Sequence, residues 1–174
     1  MFAAVIWPRE SDSRASPPPS TASAGVKPEV SRYSGLVLPR FVTLKTSKVN
    51  VRRGPSRKHS IAWSFTKKGL PVEIIRESEN WRMIRDSEGS EGWIYQGLLS
   101  GKRAAIIAPW QEEGVQNLYS RPGKETKIVA QLEPGVVSSV KQCNGAWCKI
   151  EGNGFDGWVT QGNVWGVYPD EVFE

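Results

Sequence analysis

Acidic residues are missing from a long stretch of this chain. Between Glu29 and Glu73 there is none, while that window holds Arg32, Arg40, Lys45, Lys48, Arg52, Arg53, Arg57, Lys58, Lys67 and Lys68. Histidine occurs once, as His59, and cysteine twice, as Cys143 and Cys148. Two thiols and one distant imidazole do not complete a tetrahedral zinc site. They are also poorly placed as a Cys–His nucleophile, because they fall in different halves of the chain. No apolar run approaches the ~20 residues a membrane-crossing helix requires. A Gly-x-x-x-x-Gly-Lys-Ser/Thr phosphate loop is absent, as is an acidic calcium loop. The carboxylates of Glu112-Glu113 and of Asp86 with Glu88 read as solvated loop charges, not as a glycosidase pair. The sequence therefore predicts no enzyme, no cofactor and no metal.

What is present is ordinary globular composition: 39% apolar, 24% charged and 10% aromatic residues in 174, which argues against global disorder. Eight tryptophans, 17 glycines and 12 prolines favour small β-barrels with many turns over a helical bundle. The net charge of +5 is unevenly spread. Residues 41–101 carry eleven Lys/Arg against six acids, and residues 102–174 carry seven against nine. The basic half reads either as a solvated face or as a surface for an anionic partner.

The N-terminus, Met1-Phe-Ala-Ala-Val-Ile-Trp7, is apolar but too short for a complete secretory signal. It reads either as the last piece of a longer signal or as an ordinary start. Residues 8–40 carry six prolines and seven serines, and with 1–7 they form a segment expected to be a flexible tether.

An internal repeat organises the remainder. Gly69 and Gly135 open parallel passages, and Trp81 and Trp147 follow each at the same interval. Gly92-Trp93-Ile94 matches Gly157-Trp158-Val159, and Gln96-Gly97 matches Gln161-Gly162. Self-similarity at such a period signals two copies of one unit. Each copy reads as short strands separated by turns, with single helical turns near Gln96–Leu99 and Gln161–Val164. The expected fold is all-β: two tandem small barrels, 41–101 and 102–168, behind the 1–40 segment and before a short tail, 169–174.

Cys143-Asn-Gly-Ala-Trp-Cys148 leaves pairing open. A four-residue loop over Asn144–Trp147 would set the cysteines opposite one another and allow a disulfide in an exported protein. A two-residue Asn144-Gly145 turn would offset them.

The run Val49-Asn-Val-Arg-Arg-Gly-Pro55, Lys68-Gly69, Trp81-Arg-Met-Ile84 and Gly92-Trp-Ile94 resembles the bacterial SH3-like domain family, here in two tandem copies. The second copy departs at its start, where Asn117-Leu-Tyr-Ser-Arg-Pro122 replaces the family pattern. The tail Gly166-Val-Tyr-Pro-Asp-Glu171 resembles the ending of two-module envelope proteins of Gram-negative bacteria. The resemblance implies a binding module of the cell envelope or periplasm that docks a peptide, peptidoglycan or a partner protein, with any catalytic domain a separate unit.

Flat aromatic faces with polar edges suit sugars and extended peptides. Trp63, Trp81, Trp93 and Tyr95 are the candidates in the first copy, and Tyr119, Trp147 and Trp158 in the second. Each ring competes with a role in its barrel's core. If Ile94 points inward, Trp93 and Tyr95 point outward and need a partner, either a ligand or the sister copy. Arg52, Arg53, Arg57 and Lys58 would add a cationic rim to the first copy. Two alternatives stand beside this reading. One is nucleic-acid binding by the basic barrel, with Trp63 and Phe65 stacking bases. The other is a scaffold whose copies pack through Trp93, Trp110 and Trp165.

Overall fold

Period-two burial defines the strands. In Val49-Asn-Val-Arg52 the valines are fully buried while Asn50 and Arg52 face outward. The computed structural model describes residues 28–174. An N-terminal hairpin joins β1 (Glu29–Val30) to β2 (Val37–Leu38). The first barrel follows with β3 (Arg40–Leu44), β4 (Val49–Arg52), β5 (Ile61–Phe65), β6 (Pro71–Ser78), β7 (Trp81–Arg85), β8 (Glu91–Tyr95) and β9 (Leu99–Ser100). The second has β10 (Ala104–Ile107), β11 (Gln116–Tyr119), β12 (Ile128–Leu132), β13 (Val137–Asn144), β14 (Trp147–Gly152), β15 (Phe155–Thr160) and β16 (Val164–Trp165), and the chain closes with β17 (Val172–Phe173). One 3-10 turn precedes β9, at Gln96–Leu98, and its counterpart at Gln161–Asn163 precedes β16.

The strand order is β5-β4-β8-β7-β6-β3-β9 in the first sheet and β12-β11-β15-β14-β13-β10-β16 in the second. Copy two thus repeats copy one strand for strand, all pairs antiparallel. Each sheet curls into a half-barrel around its own core. Val49, Val51, Val72, Ile74, Ile84 and Ile94 fill the first. Leu118, Val140, Ile150, Val159 and the two cysteines lie in the second. Burying each such Val or Ile contributes about 1.5–3 kcal/mol.

The repeated Gly-Trp-Ile/Val motif has a packing cause. A Cβ on Gly92 would fall 2.4 Å from Val51 Cγ1, and one on Gly157 would fall 2.9 Å from Val129 Cγ2. Only glycine lets the middle strand lie this close to its neighbour.

Strand β6 runs further than its polar residues suggest, through Glu77 to Ser78, and a bulge between Ile74 and Arg76 bends it. Glu77 is buried because its carboxylate is fully partnered. Ser34 Oγ donates to it at 3.0 Å, Arg82 Nε lies at 3.1 Å, and Ser31 Oγ and Arg40 Nη2 complete the set. Burial alone would raise its pKa, but the hydrogen bonds from Ser31, Arg40 and Ser34 and the Arg40 charge outweigh that and lower it.

This network also fixes the end of the expected tether. Residues 1–27, including the apolar start, lie outside the described residues. Residues 28–40 are not free chain but a hairpin whose Ser31 is buried against the first barrel. Hydrogen bonds to a buried carboxylate hold it, a device that apolar content does not reveal.

The two barrels meet through a separate cluster. Phe41 of β3, Ile106 of β10 and Trp165 of β16 are buried together, with Leu70, Trp110, Val137 and Tyr168 around them. The Phe41 ring lies 5.0 Å from Trp165, edge-on, and 4.8 Å from Tyr168. Trp110 and Trp165 are therefore at the seam as the scaffold alternative expected. Trp93 is not among them; it lies on β8, away from this cluster.

Candidate functional site

Alternation on β4, β7 and β8 brings one set of side chains to the outer face of the first barrel. With Ile84 and Ile94 inward, Trp81, Met83, Trp93 and Tyr95 point outward. The register pairs Trp81 with Tyr95, Met83 with Trp93, and Arg52 with Trp93. The Trp81 and Tyr95 rings meet edge to face at 5.8 Å, an arrangement that leaves ring surface free. Tyr95 is 38% exposed.

Trp81 and Tyr95 line a shallow cleft of about 200 Å³ together with Lys48, Asn50, Arg52, Arg57 and Leu98. No acid lines it. Asn50 is held by Ser64 Oγ, which donates to its Oδ1 at 2.8 Å. Arg52 Nη1 donates to the Arg57 carbonyl at 3.2 Å and the His59 carbonyl at 2.7 Å. The guanidinium thus shapes the loop that carries Arg57. A Cβ on Gly54 would fall 2.6 Å from the His59 ring, so the imidazole packs directly over the Gly54 backbone.

Of the rings singled out from sequence, Trp81 and Tyr95 share this cleft, and of the cations, Arg52 and Arg57. Trp93 is on the same face, one register step along, and its partners are Arg52 and Met83; of the two partners open to it, the sister barrel is not the one it meets. The structure does not bring Trp63 to the cleft. It packs half-buried against the barrel core, its ring 6.2 Å from Phe65, because β5 turns that face inward opposite Val51. Arg53 and Lys58 are exposed on the loop and do not line the cleft. Lys48, Asn50 and Leu98 were missed; alternation on β4 was the signal for Asn50, and the turn before it for Lys48.

The equivalent face of the second barrel is chemically different. Tyr119 stands at the Arg52 position and pairs with Trp158. Its ring meets Trp147 edge-on at 5.5 Å. Thr160 replaces Tyr95 opposite Trp147. Lys149, opposite Trp158, is engaged by Asp156 at 3.6 Å. Three aromatic candidates therefore share a face, without the free cations of the first barrel.

Cys143 and Cys148 are bonded to each other and directly opposed across the β13–β14 hairpin, with Cα atoms 4.1 Å apart. Asn144 Oδ1 accepts from the amides of Ala146 at 3.1 Å and Trp147 at 2.8 Å, closing the four-residue loop. Among the described residues no cluster of three or more His, Cys, Asp or Glu side chains gathers, and no helix is long and apolar enough to cross a membrane.

The bacterial SH3 domain profile matches residues 45–101 and 112–166. No curated protein matches the chain. Seven solved chains do. NlpC2 from Trichomonas vaginalis is 14% identical, with a TM-score of 0.33 over 73% of this chain and 48% of that one. NlpC1 from the same organism is 16% identical, with a TM-score of 0.32 over 79% and 48%. This chain spans about half the length of either. Two profile matches, falling on two sheets of identical strand order, place the chain in the bacterial SH3 domain family as a tandem pair.

Proposed function

We propose that the protein is a non-catalytic binding module of the bacterial cell envelope, and that the cleft of the first barrel docks peptidoglycan. The observation that carries this reading is the Trp81–Tyr95 pair set among Lys48, Arg52 and Arg57 with no acid in the lining. A sugar ring or an acyl-peptide edge stacks on such faces, and a carboxylate is clamped by the guanidinium of Arg57. Bacterial SH3 domains bind peptide or glycan ligands generally and are common in secreted and envelope proteins, which supports both halves of the proposal. The disulfide suits an oxidising compartment. Both sulfurs are consumed in the bond, which leaves no thiol for a Cys–His nucleophile pair with His59.

Co-sedimentation with purified peptidoglycan tests this. Tyr95→Ala removes an exposed ring outside the core, and Trp81→Ala removes its partner. Together they should weaken binding by about tenfold or more. Binding that survives both substitutions would overturn the assignment of this cleft.

A further inference from the structure

A second basic region lies on the seam between the barrels. A cleft of about 390 Å³ there is lined by Lys45, Lys68 and Lys102, with the hydroxyl residues Thr43 and Ser139 on its walls. Among the described residues, none of the three lysines has an ion-pair partner. The one carboxylate on its rim, Glu151, is engaged by Lys141 Nζ. Arg103, which also borders the cleft, is already committed to Glu171 through two hydrogen bonds of 2.8 Å. The free charge of the cleft is therefore positive.

This cleft and the aromatic one are neighbours. Lys45 and Lys48 belong to the single turn between β3 and β4, and Lys45 lines the seam cleft while Lys48 lines the aromatic one. The turn is anchored by the Lys45 amide, which donates to the Leu98 carbonyl at 2.8 Å, and Leu98 is itself a wall of the aromatic cleft. Arg57, Arg52 and Lys48 line one cleft and Lys45, Lys68 and Lys102 the other, and neither lining carries an unpaired acid.

We propose that these two clefts form one track that binds a linear anionic glycan, its sugar rings on Trp81 and Tyr95 and its carboxylates reaching the lysines of the seam. This rests on the aromatic cleft being a binding site, and it adds the ligand's charge, its length and a second station. At the aromatic cleft, backbone pairing favours a glycan over an added peptide strand. The floor strands β4, β8 and β7 each have a neighbour on both sides, so no strand edge is open there for a peptide to extend. Recognition has to come from rings and cations, and the rings favour a sugar polymer over a bare polyanion.

The test uses oligogalacturonates, linear sugars with one carboxylate per ring, in a short and a long form, titrated calorimetrically against the full chain. The variant Lys68→Gln/Lys102→Gln changes two exposed side chains outside both cores. It should weaken the long oligomer by about tenfold and leave the short one unchanged, and Trp81→Ala should weaken both. Affinity of the long form should fall with salt more steeply in the wild type than in the lysine variant. If the lysine variant binds the long form like the wild type while Trp81→Ala still loses binding, the track is wrong and the aromatic cleft stands alone. If Trp81→Ala loses nothing on either oligomer, the cleft reading fails with it. A single-stranded oligonucleotide of matched length bound in preference to the uronate would overturn the glycan.

Discussion

Reducing the Cys143–Cys148 bond isolates a cross-link from the packing around it. Both sulfurs lie in the core of the second barrel, and reduction leaves them there as thiols, so the apolar contacts persist. What changes is the unfolded chain. The bond closes a loop of sequence separation 5. By the chain-entropy relation such a loop restrains the unfolded ensemble by about 7 cal/mol/K, or about 2 kcal/mol at room temperature. For a chain of this size each kcal/mol moves the midpoint by about 2–4 °C, so reduction should lower Tm by about 4–8 °C.

The assay is differential scanning calorimetry with and without a phosphine reductant, paired with hydrogen exchange. The first barrel supplies its own control. Its β6–β7 hairpin has the same place in the sheet and no cross-link. Exchange should therefore rise in β13 and β14, at amides such as Trp147, and stay unchanged in β6 and β7. A Tm shift under about 1 °C, or faster exchange spread equally over both hairpins, would refute the loop-entropy argument. Two free thiols in protein purified from the envelope without reductant would remove its premise.

Two further outcomes follow from the packing. Gly92→Ala forces a methyl toward Val51 Cγ1 and should cost about 1–3 kcal/mol in a denaturant titration; a neutral result would show that β4 and β8 can separate freely. Glu73 on β6 is buried beneath the second barrel, where Tyr168 donates to it at 3.0 Å and Arg85 lies at 3.4 Å. Burial holds its carboxyl above the usual range against the lowering effects of Tyr168 and Arg85, with Glu91 adding to the rise. A raised carboxyl stabilises the fold below the ordinary carboxylate pKa and loses that contribution as pH climbs through the folded value. The Tm of the wild type relative to Glu73→Gln should therefore fall as pH rises through the mildly acidic range. A difference that is flat or grows with pH would contradict this; the opposing titration of Glu77 is common to both proteins and cancels.

The repeat was legible because it is written in residues with steric reasons to recur. Gly92 and Gly157 are both places where a Cβ has no room, and Trp81 and Trp147 start equivalent strands. Inward alternation at Val49, Val51, Ile84 and Ile94 was legible for the same reason. The disulfide was not, since the spacing of Cys143 and Cys148 fits two turns; the Asn144 side chain, by capping Ala146 and Trp147, selects the one that opposes them. The seam was legible in part. Trp110 and Trp165 were singled out for it, but Phe41 and Ile106 were not, because β3 and β10 are buried on both faces and nothing local says which face meets the other copy. Buried acids are hardest to foresee. Glu73 and Glu77 carry no signal of burial in the sequence because their partners, Tyr168, Ser31 and Arg40, are supplied from remote segments.

Duplication explains why a small barrel can display rings at all. A lone sixty-residue unit has a limited core, and its large apolar residues are pressed into making it. Here the outer face of β3 and β10 gains burial from the sister copy, through Phe41, Ile106 and Trp165. That leaves the opposite outer face, on β4, β7 and β8, with less demand for stabilising contact. The second copy shows the other outcome. With Tyr119 in place of Arg52, its ring meets Trp147 edge-on, and the position carries no cation. In the first copy Arg52 turns its guanidinium to the loop carbonyls instead, and Trp81 retains only Tyr95 as a ring neighbour. Two positions therefore separate the faces: Arg52 against Tyr119, and Tyr95 against Thr160. The exchange Arg52→Tyr should remove a cation from the first cleft, with loss of peptidoglycan binding while the fold is kept.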